Sequence, residues 1–289
     1  MTRLLIQHET RYRYEKPVAF GPQRLLLRPR DSHGLKVERA SLAVNPPGDI
    51  RWTYDPYGNC VCWFTPTGEA TELAIISQLV IERFPAPLLP FQPDNPHTAT
   101  PIVYSRDDRL ALSPYMMAES DDHPSVTQWL HEQMNQPGEP ALDFLLRLNR
   151  SIDGFAYKAR YEAGVQAPAE TLASRAGTCR DFAWLMVEVL RRAGYAARFV
   201  TGYLHSPGAT LRGAGATHAW CEVFLPDLGW TEFDPTNGLA ESPDLIPVAV
   251  SRTPREAAPI SGTILSDPGK TELIVNVTVS AAAEMAEAA

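Results

Sequence analysis

A chain of 289 residues with 44% hydrophobic and 21% charged residues has the balance of a folded globular protein and excludes a disordered one. A net charge of −8 argues against general nucleic-acid binding, and the length allows one large domain or two of ordinary size. The first forty residues carry nine Lys/Arg against four Asp/Glu, charges that suit the solvent faces of strands. The opening apolar run Leu4-Leu5-Ile6 is too short for a signal peptide, and no later stretch is long enough to span a bilayer. Four scattered cysteines do not make a secreted disulfide framework. The expectation is a cytoplasmic, reduced protein with no membrane and no nucleic-acid partner.

From Leu4 to about Glu82 the pattern is strand-like. Residues 6–14 are rich in β-branched and aromatic residues, residues 73–81 in β-branched and other aliphatic ones. Turn clusters at Asn45-Pro46-Pro47-Gly48 and Asp55-Pro56-Tyr57-Gly58 separate the runs. Short strands divided in this way predict an antiparallel β-sandwich-like unit. The proline-dense residues 85–101 read as a linker.

From about Asp122 the period becomes helical. Val126, Leu130 and Met134 form one stripe, and Leu142, Leu145, Leu146 and Leu148 lie in a second segment. Third and fourth helical segments, 168–176 and 179–193, are split by Gly177. Strands return at 197–204, 217–225 and 230–234, and a last one over 272–279 precedes an Ala-rich tail that frays. The predicted division is a β-rich domain over 1–95, an α+β core over 96–245 and a C-terminal extension over 246–289.

In the helix after Gly177, residues Phe182, Leu185, Met186, Val189 and Leu190 keep the spacing of a buried face. Cys179 precedes Phe182 by three residues, so it shares that face and lies in the first turn. A helix N-terminus stabilises negative charge, and thiols there ionise more readily, still more so beside a histidine. Gly177 removes bulk where a substrate carbonyl would approach, and the backbone N–H groups around Cys179 are placed to bind an oxyanion. Asp181 is favourable in the first turn through the helix dipole and is a candidate contact of the site.

His218 begins a strand on which His218, Trp220, Glu222 and Phe224 share a face. The turn Pro226-Asp227-Leu228-Gly229 then leads into Trp230-Thr231-Glu232-Phe233-Asp234. An odd number of unpaired residues in that turn, three for example, makes His218 and Asp234 diagonal neighbours on one face. Such pairs lie about 7–8 Å apart at the backbone, within reach of a histidine–carboxylate bond. An even number would put them on opposite faces. With the odd count, Asp234 orients the imidazole, His218 serves as base and Cys179 is the nucleophile.

The runs Gly177-Thr178-Cys179-Arg180-Asp181-Phe182-Ala183, Ala197 to Tyr203, His218-Ala219-Trp220-Cys221-Glu222-Val223 and Gly229 to Gly238 resemble the bacterial branch of the transglutaminase-like superfamily. Residues 8–18 and Arg24-Leu25-Leu26-Leu27-Arg28-Pro29-Arg30 resemble the β-rich domain that precedes the core in that branch. The resemblance covers most of the chain. It implies a papain-like α+β core with Cys179 as nucleophile, His218 as base and Asp234 as orienter, and it places Trp220 and Asn237 beside the site. One run departs: relatives carry a Gly-Arg-Asp-Tyr-like segment after the core, whereas this chain has Val250-Ser251-Arg252-Thr253-Pro254. If that segment shapes the substrate groove, specificity differs here.

Other residues read more plainly. Cys60 and Cys62 fall on one strand face without further ligands at metal-binding spacing, and Cys221 lies on the strand face opposite His218. These three read as packing residues. His205 opens a Gly/Pro-rich loop, 206–215, that can border the cleft. Tyr157 is the candidate side-chain oxyanion donor from upstream, and Glu119, Asp121 and Asp122 read as a solvated loop and helix start. The expected function is thiol-dependent acyl transfer on an amide, with peptide or amide hydrolysis favoured. The alternatives are glutamine acyl transfer to an amine, deamidation, or a binding protein that keeps the fold. No metal or organic cofactor is required; the expected partners are a peptide or protein amide and a protein docked on the N-terminal unit.

Overall fold

The computed structural model describes residues 1–84, 100–119, 123–134, 136, 138–160, 164–226 and 228–282. The N-terminal unit is organised by one long strand, β1 (Thr2–Arg28), with β2 (Leu35–Asn45), β3 (Gly48–Tyr54), β4 (Cys60–Pro66) and β5 (Glu69–Arg83) following it. The first half of β1 pairs with β5, and a register irregularity between Arg13 and Val18 marks where the strand leaves that partner's regular ladder. The second half pairs with β4, and β2 and β3 lie outside β5 and β4 respectively. The seven-stranded sheet therefore curls into two layers that share β1. Val18, Phe20, Leu25, Phe64, Leu73 and Ile75 meet between them. Each fully buried side chain of this kind contributes about 1.5–3 kcal/mol of transfer free energy.

The second unit begins with α1 (Arg106–Met116), α2 (Pro124–Gln133) and α3 (Ala141–Asp153). A two-residue parallel pairing between β6 (Ala156–Tyr157) and β7 (Ala176–Gly177) brackets α4 (Pro168–Ser174). Then come α5 (Cys179–Arg192) and the strands β8 (Ala197–Leu204), β9 (His218–Leu225), β10 (Gly229–Asp234), β11 (Leu239–Ala240) and β12 (Leu245–Ser251). These strands make one antiparallel sheet in the order β11-β10-β9-β8-β12. Helix α5 lies on β9 and β8, where Phe182, Leu185, Met186 and Val189 share a core with Ala219, Cys221, Val223 and Phe233. The other helices pack round α5 as well, which is why it is buried almost all round. Among the described residues no helix is long and apolar enough to cross a membrane.

The last strands, β13 (Ile260–Ile264) and β14 (Thr271–Ala281), return to the first unit and pair with β1. The expected C-terminal extension over 246–289 is thereby corrected. β12 closes the core sheet beside β8, and β13 and β14 complete the N-terminal sheet. The physical reason is that β1 has a second edge, which only strands from the chain's end satisfy.

The two units are joined by an apolar layer in which Leu4, Ile6, Leu79 and Ile81 meet Tyr203, Ile246 and Val248. Polar ties cross it as well: Arg83 donates to the Leu245 carbonyl at 2.9 Å, and Val250 N–H donates to Asn59 Oδ1 at 2.9 Å.

Helix α1 and strands β11, β12 and β13 carry no clear sequence signal. In α1, Leu112 alone is buried and Pro114 interrupts the pattern, whereas β12 includes Pro247. The linker expected over 85–101, apart from Thr100 and Pro101, lies outside the described residues, as do Asp121, Asp122 and the tail from 283.

Candidate active site

The turn that presents Cys179 is held by Asp181. The Thr178 backbone N–H and hydroxyl both donate to Asp181 Oδ2, at 2.9 and 2.8 Å. Gln166 N–H donates to Oδ1 at 2.7 Å, and Arg160 reaches the same oxygen at 2.9 Å. Burial alone would push this carboxyl up, but the Arg160 bond and the Thr178 and Gln166 donors hold it below the usual carboxylate range. Asp181 thus fixes the start of α5 through Thr178, Gln166 and Arg160. The role expected for Gly177 changes with it. A Cβ there would lie 2.9 Å from Asp181 Cβ and 3.1 Å from Gln166 Oε1, so the glycine makes room for the supporting carboxylate, not for a substrate.

Cys179 is the first residue of α5 and is 6% exposed. The N–H group of Cys179, the first residue of α5, precedes the i→i−4 ladder and suits an oxyanion. The β6–β7 pairing sets Tyr157 opposite Gly177, bringing its phenol beside Cys179. Burial first, then the charge of Cys179, pushes the Tyr157 pKa up to about 12, so the hydroxyl keeps its proton and can donate.

The turn between β9 and β10 leaves three residues unpaired, since Gly229 pairs with Leu225. His218 and Asp234 consequently face each other diagonally, and His218 Nε2 lies 2.9 Å from Asp234 Oδ2. Both side chains are fully buried. Asp234 also accepts from Thr236 N–H at 2.9 Å and from Asn237 Nδ2 at 2.8 Å. Burial opposes its charge, and His218 with these donors more than offsets that, leaving the carboxyl below its ordinary value.

The other ring nitrogen of His218, Nδ1, has no hydrogen-bond partner among the described residues. Burial pulls the His218 pKa down, but the charge of Asp234 and then that of Cys179, with the bond to Asp234, raise it to about 10. Both neighbours therefore favour the protonated ring.

Trp220 stacks on His218 with ring centroids 6.1 Å apart and 30° between planes. Asn237 also binds the loop before β9, accepting from Arg212 N–H at 2.8 Å and donating to the Arg212 carbonyl at 3.2 Å. The sequence-expected Cys179, His218, Asp234, Trp220, Tyr157 and Asn237 are thus brought to one place.

Sequence reading overlooked Gly213 and Arg212. A Cβ on Gly213 would sit 2.9 Å from His218 Nδ1 and 3.7 Å from the Tyr157 hydroxyl. Arg212 ties its loop to Asp153 through an ion pair. The Gly-rich composition of 206–215 was the available signal. His205 is engaged by Asp244 at 3.2 Å. Cys221 packs in the core under α5; Cys62 is buried and Cys60 half-buried, and all four cysteines are free. The departing run 250–254 meets Arg191, which donates to the Arg252 carbonyl at 2.7 Å. Arg191 is in the last turn of α5, some 18 Å along the axis from Cys179 at about 1.5 Å per residue, so this run packs at the far end of the helix.

Fold and site define an α+β protein with a buried cysteine, histidine and aspartate at the junction of a central helix and an antiparallel sheet. The chain belongs to the transglutaminase-like superfamily: residues 4–82 match the bacterial transglutaminase-like N-terminal region and residues 128–235 the transglutaminase-like superfamily core. An uncharacterized protein of Mycobacterium tuberculosis is 28% identical over 96% of this chain and 92% of its own. A protein-glutamine gamma-glutamyltransferase of Pseudomonas aeruginosa is 31% identical over 46% of this chain and 23% of its own. A crystal structure of a candidate cysteine protease from Cytophaga hutchinsonii shares the fold, with a TM-score of 0.75 at 18% identity over 97% of this chain and 90% of that one.

Proposed function

We propose that the protein is a thiol enzyme that transfers acyl groups from amides, with Cys179 as nucleophile, His218 as proton carrier and Asp234 as orienter. The observation that carries this reading is His218 itself. It is buried, held at Nε2 by Asp234 at 2.9 Å, and raised in pKa by a second partner, Cys179. The Cys179 sulfur attacks the amide carbonyl carbon, and its electron pair forms the C–S bond. The oxyanion is met by N–H groups of the first turn of α5 and by the Tyr157 hydroxyl. As the C–N bond breaks, His218 gives its Nδ1 proton to the departing amine and a thioester remains. An incoming nucleophile loses its proton to His218, and the thiolate leaves.

Hydrolysis of a peptide or related amide, with water as the second nucleophile, is the favoured outcome. Transfer to an amine is the second reading, supported by the similarity to the Pseudomonas gamma-glutamyltransferase over 46% of this chain. The same side chains serve either acceptor.

The test compares wild type with Cys179→Ala on a peptide and protein mixture, read by mass spectrometry. New termini identify hydrolysis, mass gain with loss of ammonia identifies transfer, and Glu in place of Gln identifies deamidation. The reading is abandoned if the two proteins behave alike and iodoacetamide labels Cys179 no faster than Cys60, Cys62 or Cys221.

A further inference from the structure

Beside the stacked pair of His218 and Trp220 lies a half-buried carboxyl that the reaction does not use. Glu232 is on β10, directly opposite Glu222 of β9. Two carboxylates in cross-strand register repel each other, and Glu222 is paired with Arg198 at 2.5 Å. Glu232 has the opposite surroundings. Burial, then Glu222 and Glu241, push its pKa well up, and neither Arg83 nor Trp220 offsets them. Arg83, from the end of β5, donates to the Leu245 carbonyl. Glu241 is committed to the Glu232 backbone N–H. These neighbours favour the protonated carboxyl, and one of its oxygens, Oε1, accepts from Trp220 Nε1 at 3.2 Å.

The Trp220 indole is shaped to fit by the strand beside it. Gly202 on β8 has no side chain, and a Cβ there would lie 2.7 Å from Trp220 Cη2. The indole thus has a glycine beneath one end, a hydrogen-bonded N–H at its edge and the imidazole of His218 on its face.

We propose that Glu232 is a positioning residue: it tethers the Trp220 indole, and the tethered indole holds the His218 ring in the plane that directs Nε2 to Asp234 and Nδ1 to Cys179. This rests on the reading of Cys179 and His218 as the working pair. Glu232 itself touches neither substrate nor reacting atoms. Because Glu232 serves through one accepting oxygen, a glutamine amide oxygen replaces it, whereas an aliphatic side chain leaves the indole N–H unpaired.

The experiment measures the iodoacetamide alkylation rate of Cys179 across pH in wild type, Glu232→Gln, Glu232→Leu, Trp220→Phe and the Glu232→Leu/Trp220→Phe pair. The ring-current shift of the His218 Cε1 proton is recorded by NMR on the same proteins, with thermal melting to establish that each is folded. Glu232→Gln is expected within about threefold of wild type, with the shift kept. Glu232→Leu is expected to slow alkylation about tenfold and to lose the shift, and the double variant is expected to be no slower than the slower single one. Additive effects, a Glu232→Leu protein with wild-type rate and shift, or a Glu232→Gln protein as slow as Glu232→Leu each overturn the inference. His218→Ala separates the two levels. If it leaves the alkylation rate unchanged, the proposed pair fails; if it slows the rate while Glu232→Leu does not, the pair stands and the tether alone fails. Should Glu232→Leu not fold, the NMR shift of Trp220→Phe relative to Glu232→Gln decides the question: equal shifts in the two overturn the tether.

Discussion

Asn237 donates its side-chain amide to Asp234 Oδ2, the same oxygen that contacts His218 Nε2. The aspartate is thereby pinned from outside the strand pair, and the same amide group braces the loop that covers the histidine. A hydrogen bond to a charged group contributes about 1.5–3 kcal/mol. Asn237→Ala is expected to lower stability by about 2 kcal/mol and to slow Cys179 alkylation at least about tenfold through misplacement of the histidine. An unchanged alkylation rate in a folded Asn237→Ala protein would show that Asp234 holds its place without help.

Gly213 and Gly215 provide a matched comparison. Both have positive φ, 86° and 88°, so alanine at either costs about 1–2 kcal/mol in backbone strain. Only at Gly213 does the new Cβ meet His218, at 2.9 Å from Nδ1; at Gly215 nothing lies within 4 Å. Gly213→Ala should therefore slow alkylation of Cys179 far more than Gly215→Ala, at similar losses of melting temperature. Equal rates in the two variants would contradict the close approach.

The sign of the pH effect follows from His218. Its folded-state pKa of about 10 lies above the unfolded value near 6.5. The resulting stability is fully present below about pH 6.5 and is lost as pH rises through 10. Urea midpoints measured from pH 6 to 10.5 should fall more steeply for wild type than for His218→Gln. Parallel curves would mean that the imidazolium is not retained in the folded protein.

Asp181 carries a larger structural burden than its position beside the nucleophile suggests. Asp181→Ala removes the acceptor for Thr178 and Gln166 and leaves Arg160 unmatched. Breaking a buried pair from one side costs about 3–5 kcal/mol, and partial exposure of Arg160 at 19% places the expectation near the lower figure. The outcome to measure is the urea midpoint. A loss below about 1 kcal/mol would show that Thr178 and Gln166 find other acceptors.

How much of this could be read from the residues varies with the kind of signal. The helix of Cys179 was legible because Phe182, Leu185, Met186 and Val189 repeat at helical spacing. The pairing of His218 with Asp234 depended on one count, the three unpaired residues after Leu225, which periodicity does not supply. The last strand, expected over 272–279, was legible, but its pairing with β1 was not, because a strand's sequence reports its faces and not its partner. Nothing in residues 271–281 names β1. Helix α1 was missed because a helix with one buried residue and an internal proline has almost no apolar stripe. The part played by Gly177 was misjudged for a related reason, since the Asp181 carboxylate that fills the space beside it is defined only by the folded turn.

The eleven residue pairs that join Leu4–Tyr14 of β1 to β14 also order events in time. At about 5–20 residues per second of synthesis, β1 emerges and then waits some 15–60 s for its last neighbour. Val277 of that late strand donates its N–H to the Gly215 carbonyl at 3.0 Å, so the loop over His218 receives this support only after β14 has been made. Assembly of the loop over His218 is thereby coupled to the synthesis of β14, and a chain cut short before β14 carries Cys179 but lacks this brace.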